Sequence, residues 1–233
     1  MQLRPDPLDL AVWTQEVLAL RGRSSSNPDP GCAWTGDLNG VWQLHRLPAF
    51  AGLVQQLQAQ VWLYLDQLGF ETNLLAPHIQ RSWPVVSEPG QLVGRHHHPN
   101  AHISAVYYLN GDGSGGQGCL RLFAPRQLNE LVPGLAVGHG GPLRKSPAGA
   151  TEWISPWLDV APQAGLLVMF PAALDHAVTE NTSSEELRLS IAFDLALTAI
   201  PTQPNDPAPP EYLAPHPSQW DALRQDGQMC PEP

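Results

Sequence analysis

The sequence predicts a mainly β protein with packing helices at its N-terminus. Two N-terminal segments repeat apolar residues at helical spacing, and after residue 75 the chain changes to about eight short β-type runs punctuated by Gly and Pro. Strands of that number and length favour a barrel or a two-sheet sandwich. The 233 residues are enough for a domain with a hydrophobic core, so we expect a single domain over 1–233.

The two predicted helices lie within residues 1–75, which we interpret as a helical N-terminal part. The first runs from about residue 7 to 21 and is followed by Gly22 and a loop-forming segment. The second begins at Pro48, a residue tolerated in the first turn of a helix, and stops at Gly69. Each helix has one apolar face, so we predict that both pack against a core and carry no site residues.

Eight strands are predicted after the helices, and all of them belong to a β core over residues 76–197. Their approximate ranges are 77–86, 92–98, 103–109, 118–123, 154–158, 165–170, 176–179 and 187–195. The polar, glycine-rich segment 124–151 is too long for a hairpin turn, and we predict that it is a loop covering an active site. The proline-rich residues 198–233 predict an extended C-terminal tail.

Composition argues against several classes of partner. The formal net charge is −10, and the single lysine and the absence of any Lys/Arg cluster predict no nucleic-acid or anionic-membrane binding. The apolar runs are shorter than a membrane span and the N-terminus lacks the layout of a signal peptide, which predicts a cytoplasmic protein. Three scattered cysteines without CxxC spacing indicate neither a disulfide framework nor a thiolate metal site. The expected substrate is a small molecule or a peptide.

A histidine-rich stretch, His96–His98 with His102, surrounds the start of one predicted strand. If residues 92–98 form a strand, His96 and His98 point to one face and His97 to the other, so that the H-x-H pair can clamp a metal ion. A solvated polar turn explains the composition equally well, because imidazole is common both as a ligand and at the surface. The metal interpretation therefore requires a further ligand from a distant part of the chain.

Two residues of the last β segments favour the metal interpretation. His176 follows a buried strand and a Phe-Pro turn, and twelve residues later comes Arg188. Arg188 shares a strand face with Ser190 and Asp194, while the opposite face is apolar. An arginine directed into a β core needs a carboxylate or a similar anion for its planar guanidinium. That anion is either a ligand or a structural partner such as Asp194 or Asp112.

Four motifs in this order resemble the family of 2-oxoglutarate-Fe(II) oxygenases. The family patterns are H-x-H-P-x-x-x-x-S-G-V-Y-Y-L, G-x-L-x-F-x-x-P-R, G-x-L-x-x-F-P-x-x-x-x-H-x-V and R-x-S-I-x-F. The corresponding segments are HHHPNAHISAVYYL at 96–109, GCLRLFAPR at 118–126, GLLVMFPAALDHAV at 165–178 and RLSIAF at 188–193. Each motif alone is weak, but four in order are fairly specific, and together they cover most of residues 77–195.

The resemblance implies a double-stranded β-helix core, of the jelly-roll or cupin-like type, and Fe(II)- and 2-oxoglutarate-dependent dioxygenase activity. Such enzymes hydroxylate or otherwise oxidise a C–H bond with O2 and convert 2-oxoglutarate to succinate and CO2. Position by position, the resemblance implies that His96 and His176 bind the metal. It assigns Arg188, Ser190 and Tyr108 to the distal carboxylate of 2-oxoglutarate.

The chain departs from the broader superfamily at His98, where those enzymes carry the carboxylate of a 2-His-1-carboxylate triad. Either His98 completes a three-histidine site, or His97, His102 or water fills the third position. A three-histidine site is also typical of a cupin-like metalloprotein that does not use 2-oxoglutarate. Arg188 discriminates between these two functions, because only the 2-oxoglutarate enzyme needs it. A third interpretation, a metal-free β-sandwich, makes the histidines surface residues.

Overall fold

The computed structural model describes residues 1–24, 29–125, 157–203, 207 and 213–223. The predicted loop over 124–151 lies almost entirely outside the described residues, as does part of the predicted C-terminal tail. The described residues contain two α-helices, several short 3-10 helices and nine strands. The 3-10 helices are Asp37–Asn39, Leu44–Arg46, Pro48–Phe50, Thr72–Leu74 and Pro217–Gln219.

The helices α1 (Pro7–Arg23) and α2 (Ala51–Gln67) lie where the sequence predicts them. Asp6 caps α1, since its carboxylate accepts a hydrogen bond from a backbone N–H of the first turn over 2.8 Å. The 3-10 turn Pro48–Phe50 leads directly into α2. Gly69 follows α2 with a φ of 82°, a left-handed conformation that suits glycine and ends the helix.

Nine strands form two sheets within the described residues. In chain order they are β1 (Trp34–Thr35), β2 (Leu75–Ser87), β3 (Val93–His96), β4 (Ile103–Tyr108), β5 (Leu120–Phe123), β6 (Trp157–Val160), β7 (Leu167–Pro171), β8 (His176–Val178) and β9 (Arg188–Ala199). The larger sheet has the order β1-β2-β9-β4-β7 and the smaller one β3-β8-β5-β6. The mainly β prediction is confirmed, and each predicted strand overlaps an observed one. The short strand β1, which pairs with β2, was not predicted.

Alternation along β4 and β9 gives these two strands of the larger sheet a packed face. Ile191 and Phe193 of β9 and Tyr107 of β4 are almost completely buried on it. Trp13 of α1 meets Tyr107 edge-on, with ring centroids 5.9 Å apart, and its indole N–H donates to the carbonyl of Ala49 over 2.9 Å. Helix α1 therefore covers this face of the sheet.

The opposite face of β4 and β9 lines a cavity of about 510 Å³. The smaller sheet supplies further walls of the same cavity, through residues of β3, β5 and β8. The strand residues that line the cavity include Ser104, Val106, Arg188, Ser190 and Ala192 from the larger sheet and His96, Leu120, His176 and Val178 from the smaller one. This volume lies within the roughly 300–1,000 Å³ that small-molecule sites occupy.

The chain divides into two compact units. The first comprises Met1–Ala59 and Ile79–Ala196, and the second comprises Gln60–His78 and the described residues from 197 onward. Every residue that lines the cavity belongs to the first unit. In the part of the chain that the structure describes, each helix is too short or too polar to span a bilayer.

Candidate active site

Three histidines meet at one end of the cavity. One ligand atom from each of His96, His98 and His176 lies within 4.8 Å of the others. Strands β3 and β8 run antiparallel with His96 directly opposite His176, which brings these two rings to a centroid distance of 4.2 Å. His98 lies just beyond β3, where its backbone N–H donates to the carbonyl of Ala172 over 2.9 Å. The structure thus brings together the three histidines that the sequence predicts as metal ligands.

The hydrogen bonds of these rings leave one nitrogen of each free to bind a metal. The Nδ1 atoms of His96 and His176 lie 2.7 Å and 2.9 Å from the carbonyl oxygens of Gly94 and Leu174. A carbonyl only accepts hydrogen bonds, so each neutral ring carries its proton on Nδ1 and keeps the lone pair on Nε2. Metal-ligating histidines are ordinarily fixed in this way. The donor set therefore fits a divalent transition metal bound through three imidazoles.

His98 has a different partner, the buried carboxylate of Asp194. The His98 Nδ1 lies 2.5 Å from Asp194 Oδ1, and the guanidinium of Arg81 donates to Oδ2 of the same carboxylate. Burial alone would raise the pKa of Asp194, but the hydrogen bonds and charges of His98 and Arg81 outweigh it and lower that pKa. Asp194 is therefore an anion that accepts the His98 Nδ1–H.

Sequence reasoning considered Asp194 only as a structural partner of Arg188 and did not single out Arg81. The alternation of β9 was the available signal, because it places Asp194 on the cavity face with Arg188. Arg81 comes from β2, 113 residues away in sequence, and no local pattern connects it to Asp194.

The other candidates for the third metal position lie outside the cluster. The His97 Nδ1 is 3.1 Å from a carboxylate oxygen of Asp175, and both side chains are substantially exposed. Asp175 also accepts a hydrogen bond from Arg95 over 2.9 Å. His102 follows the turn after the cluster, and its backbone N–H donates to the carbonyl of Leu195. Among the described residues, only His98 meets the other two histidines at metal-ligand spacing.

Arg188 is buried to 1% exposure on the same cavity. Its two terminal nitrogens donate to neutral hydroxyls, Nη1 to Ser190 Oγ over 3.1 Å and Nη2 to Tyr108 Oη over 3.2 Å. Its Nε has no hydrogen-bond partner among the described residues, and no carboxylate there forms an ion pair with it. A buried cation without a counter-ion is costly, so the guanidinium suits an anionic ligand.

The two structural partners considered for Arg188 are engaged elsewhere. Asp194 is bound by His98 and Arg81, as described above. Asp112 is exposed, and its carboxylate accepts a hydrogen bond from the backbone N–H of Ser114 over 2.8 Å. The structure therefore leaves the ligand interpretation of Arg188 in place.

Asn110 holds the start of β9, which carries Arg188. Its side-chain amide donates to the carbonyl of Leu187 over 2.7 Å and accepts from the N–H of Leu189 over 2.8 Å. The amide of Gln117 donates to the same Leu187 carbonyl over 3.0 Å. The backbone on both sides of Arg188 is thus fixed by side chains.

Burial sets the protonation states of the neutral groups. Burial, with a contribution from the neighbouring His96 and His98, lowers the pKa of His176 to about 4, although its hydrogen bond to Leu174 acts the other way. Burial also lowers the pKa of His96. Burial raises the pKa of Tyr108, against the opposing effect of Arg188, so its phenol keeps the proton. Near neutral pH the site therefore presents imidazole lone pairs at one end and hydroxyl and guanidinium donors at the other.

The family model described as "Putative 2OG-Fe(II) oxygenase" matches residues 81–194 of this chain. That range runs from β2 to β9 and contains the three histidines and Arg188. No curated protein matches the chain in sequence.

Several solved structures are similar to this chain in fold. The "non-heme alpha ketoglutarate dependent epimerase SnoN from nogalamycin biosynthesis" is 16% identical with a TM-score of 0.54, and the match covers 95% of this chain and 88% of that one. AviO1 from Streptomyces viridochromogenes Tue57 is 17% identical with a TM-score of 0.54, covering 90% of each chain. A Pseudomonas putida prolyl-4-hydroxylase is 18% identical with a TM-score of 0.52, covering 84% of this chain and 89% of that one.

At such low identity these structures establish the fold, and they confirm the predicted double-stranded β-helix. The family match adds the enzyme class, because it spans the strands that build the cavity. The predicted resemblance to the 2OG-Fe(II) oxygenase family, whose enzymes depend on Fe(II) and 2-oxoglutarate, is therefore confirmed over residues 81–194.

Proposed function

We propose that this protein is a 2-oxoglutarate-dependent dioxygenase that hydroxylates a C–H bond of a small molecule or a peptide. One observation carries the proposal: a buried arginine without a carboxylate partner among the described residues lines the same cavity as three histidines at metal-ligand spacing. The arginine suits one carboxylate of a dicarboxylate, and the three histidines suit Fe(II).

His96, His98 and His176 would hold Fe(II) through their Nε2 atoms. Three protein ligands leave coordination positions open on a metal that prefers six ligands, as in non-haem Fe(II) oxygenases. Bound iron would supply the activation of O2, of which one oxygen atom enters a C–H bond of the substrate and the other enters succinate as 2-oxoglutarate loses CO2. The low pKa of His176 keeps its ring neutral and available to the metal near neutral pH.

Arg188 would bind the distal carboxylate of 2-oxoglutarate. Its planar guanidinium matches a carboxylate in geometry and charge, and Ser190 and Tyr108 already orient its two terminal nitrogens. Both hydroxyls keep a proton with which they can donate to the same carboxylate. The neighbouring cavity wall, including Val106 and Leu120, is apolar, which strengthens the ion pair by excluding water.

The alternative functions explain fewer of these features. A cupin-like three-histidine metalloprotein that does not use 2-oxoglutarate has no need for a buried, unneutralised Arg188. A metal-free β-sandwich with surface histidines is difficult to reconcile with the burial of His98 and His176, which are 9% and 5% exposed.

Anaerobic addition of Fe(II) and 2-oxoglutarate to the metal-free protein tests the proposal. We expect a weak visible metal-to-ligand charge-transfer band that requires both additions. His176→Ala and Arg188→Ala should each abolish the band, whereas His97→Ala, which changes an exposed neighbour outside the cluster, should retain it. Absence of the band in the wild-type protein, or its persistence in both site variants, would contradict the assignment.

Hydroxylation itself is tested by product mass in air. Candidate substrates are incubated with Fe(II) and 2-oxoglutarate, and succinate and organic products are quantified together. The proposal expects a product that has gained one oxygen atom, in a one-to-one ratio with succinate. A product that forms with succinate but gains no oxygen would retain the dioxygenase assignment and exclude hydroxylation for that substrate.

A further inference from the structure

We propose that Asp194 is a positioning residue for the metal: it fixes His98 through Nδ1 and supplies, one imidazole ring away, the negative charge that an acid ligand would place on the iron. This inference rests on the proposed function, because it concerns the same metal. It accounts for the histidine at the position where the broader superfamily carries a carboxylate.

The geometry of Asp194 suits this role. Its carboxylate is fully buried at 0% exposure, and its Oδ1 lies 2.5 Å from His98 Nδ1. An ionised carboxylate only accepts hydrogen bonds, so His98 donates from Nδ1, and the neutral ring then has its lone pair on Nε2. Ser104 Oγ lies 3.4 Å from the same Nδ1 and is the only other described side chain within hydrogen-bond range of it. A charged acceptor raises the basicity of a ligating imidazole more than a neutral one does.

His98 differs in this respect from its two partners. The Nδ1 atoms of His96 and His176 face neutral backbone carbonyls. Among the three clustered histidines, His98 alone has a carboxylate on its Nδ1, and it is also the one that replaces the acid. The negative charge of Asp194 therefore lies next to the histidine that takes the place of a carboxylate ligand.

Arg81 holds the carboxylate without cancelling its effect. Its guanidinium donates to Asp194 Oδ2 and lies 3.9 Å from a carboxylate oxygen of Asp37. Two carboxylates therefore share one guanidinium, and the group has a formal charge of −1. That is the charge lost when a neutral imidazole replaces a carboxylate ligand.

The first experiment measures metal affinity without 2-oxoglutarate. Asp194→Asn keeps the size of the side chain and an acceptor oxygen but removes the charge, so we expect the Kd for Co(II) to rise roughly 10–100-fold. Asp175→Asn is the matched control, because Asp175 also contacts a histidine Nδ1, that of His97, outside the cluster. The control should keep wild-type affinity. An Asp194→Asn protein that folds and binds Co(II) like the wild type would overturn the proposal.

The second experiment looks for a reversal of sign. His98→Asp restores an acid at this position but places it against Asp194, so the two like charges should weaken Co(II) binding. Adding Asp194→Asn to His98→Asp removes the repulsion and provides an amide donor, so it should strengthen binding. Asp194→Asn thus weakens binding in the wild-type background and strengthens it in the His98→Asp background. A decrease in both backgrounds would show that Asp194 merely supports the fold.

A spectroscopic measurement on the wild-type protein covers the case in which Asp194→Asn does not fold. The Zn(II)-loaded protein is diamagnetic, so long-range 1H–15N spectra report which nitrogen of each ring carries the proton. We expect His98 to be protonated on Nδ1, with a strongly downfield proton from its hydrogen bond to Asp194. A proton on Nε2 of His98 would overturn the proposal.

These outcomes separate the inference from the proposed function. A wild-type protein that binds neither Co(II) nor Fe(II) with 2-oxoglutarate contradicts the proposed function and, with it, the role of Asp194. A wild-type protein that shows the charge-transfer band, together with an Asp194→Asn variant of unchanged metal affinity, contradicts only the role of Asp194.

Discussion

At the histidine end of the cavity every clustered ring has an acceptor for its Nδ1–H, whereas at the other end Arg188 has two neutral hydroxyls and, among the described residues, no carboxylate. The first end is neutral apart from Asp194 and its partners, and its hydrogen bonds are complete before a metal arrives. The second end carries an unneutralised buried charge. The histidine end is therefore preorganised, whereas the arginine end becomes satisfied only when an anion binds.

This difference predicts that the two ends respond separately to substitution. A change at the histidine end should weaken metal binding whether or not 2-oxoglutarate is present. A change at the arginine end should weaken 2-oxoglutarate binding and leave the affinity for the metal alone intact. Substitutions at each end test this separation.

The largest effect is expected from His176→Ala. Losing one of three ligands should reduce Co(II) affinity by more than the roughly 10–100-fold that loss of an outer hydrogen-bond partner costs. Metal at 100 times its Kd should stabilise the wild-type protein by about 2.7 kcal/mol, and this stabilisation should vanish in the variant. The measurement is the metal-induced shift in Tm, which compares each protein with its own metal-free form.

His97→Ala is the control for that substitution. Its ring is half-exposed and lies outside the cluster, so the metal-induced shift should match that of the wild type. An equal loss in both variants would mean that the metal does not bind where the three histidines meet.

Arg188→Met should have the next largest effect, on 2-oxoglutarate alone. Hydrogen bonds to a charged group contribute about 1.5–3 kcal/mol, so the affinity for 2-oxoglutarate should fall about 10- to 150-fold. Co(II) affinity measured without 2-oxoglutarate should be unchanged. Titration of 2-oxoglutarate into the Co(II)-loaded protein checks the first expectation, and titration of Co(II) alone checks the second.

The same variant also tests whether the charge is truly unpaired. Methionine fills similar space without charge, so the metal-free Arg188→Met protein should be as stable as the wild type or more stable. A strongly lowered Tm would show that the guanidinium has a structural counter-ion, which would remove the contrast between the two ends.

Strand alternation allowed much of the arginine end to be predicted from sequence. Arg188 and Ser190 are two residues apart on β9, so their shared face follows from the period of a strand. Tyr108 joins them because β4 pairs with β9 so that Tyr108 lies opposite Ser190. The pairing joins strands far apart in sequence, so only the family resemblance placed Tyr108 with Arg188 and Ser190 before the structure was known.

The histidine end was predicted by a partly wrong argument. The prediction assumed a strand over 92–98, in which alternation puts His96 and His98 on one face. In the structure β3 ends at His96, and His98 lies beyond it. The rings still stack, with centroids 5.2 Å apart, because the backbone of His98 is held by Ala172 and its ring by Asp194. Such contacts join residues far apart in sequence, and no local period encodes them.

The smallest effect is expected from Tyr108→Phe, which leaves the guanidinium in place and removes one hydroxyl. Phe keeps the aromatic ring 5.0 Å from the Arg188 guanidinium carbon, so only the hydrogen bonds of the phenol are lost. An ordinary hydrogen bond contributes about 1 kcal/mol, which corresponds to a roughly fivefold rise in the Kd for 2-oxoglutarate. Tyr107→Phe is the matched control, because Tyr107 packs against Trp13 on the opposite face of β4 and should leave that Kd unchanged. A fivefold effect confined to Tyr108, with unchanged Co(II) affinity, would mean that the arginine end acts through individually placed donors. Equal effects from both tyrosines would instead mean that 2-oxoglutarate responds to the packing of the strand.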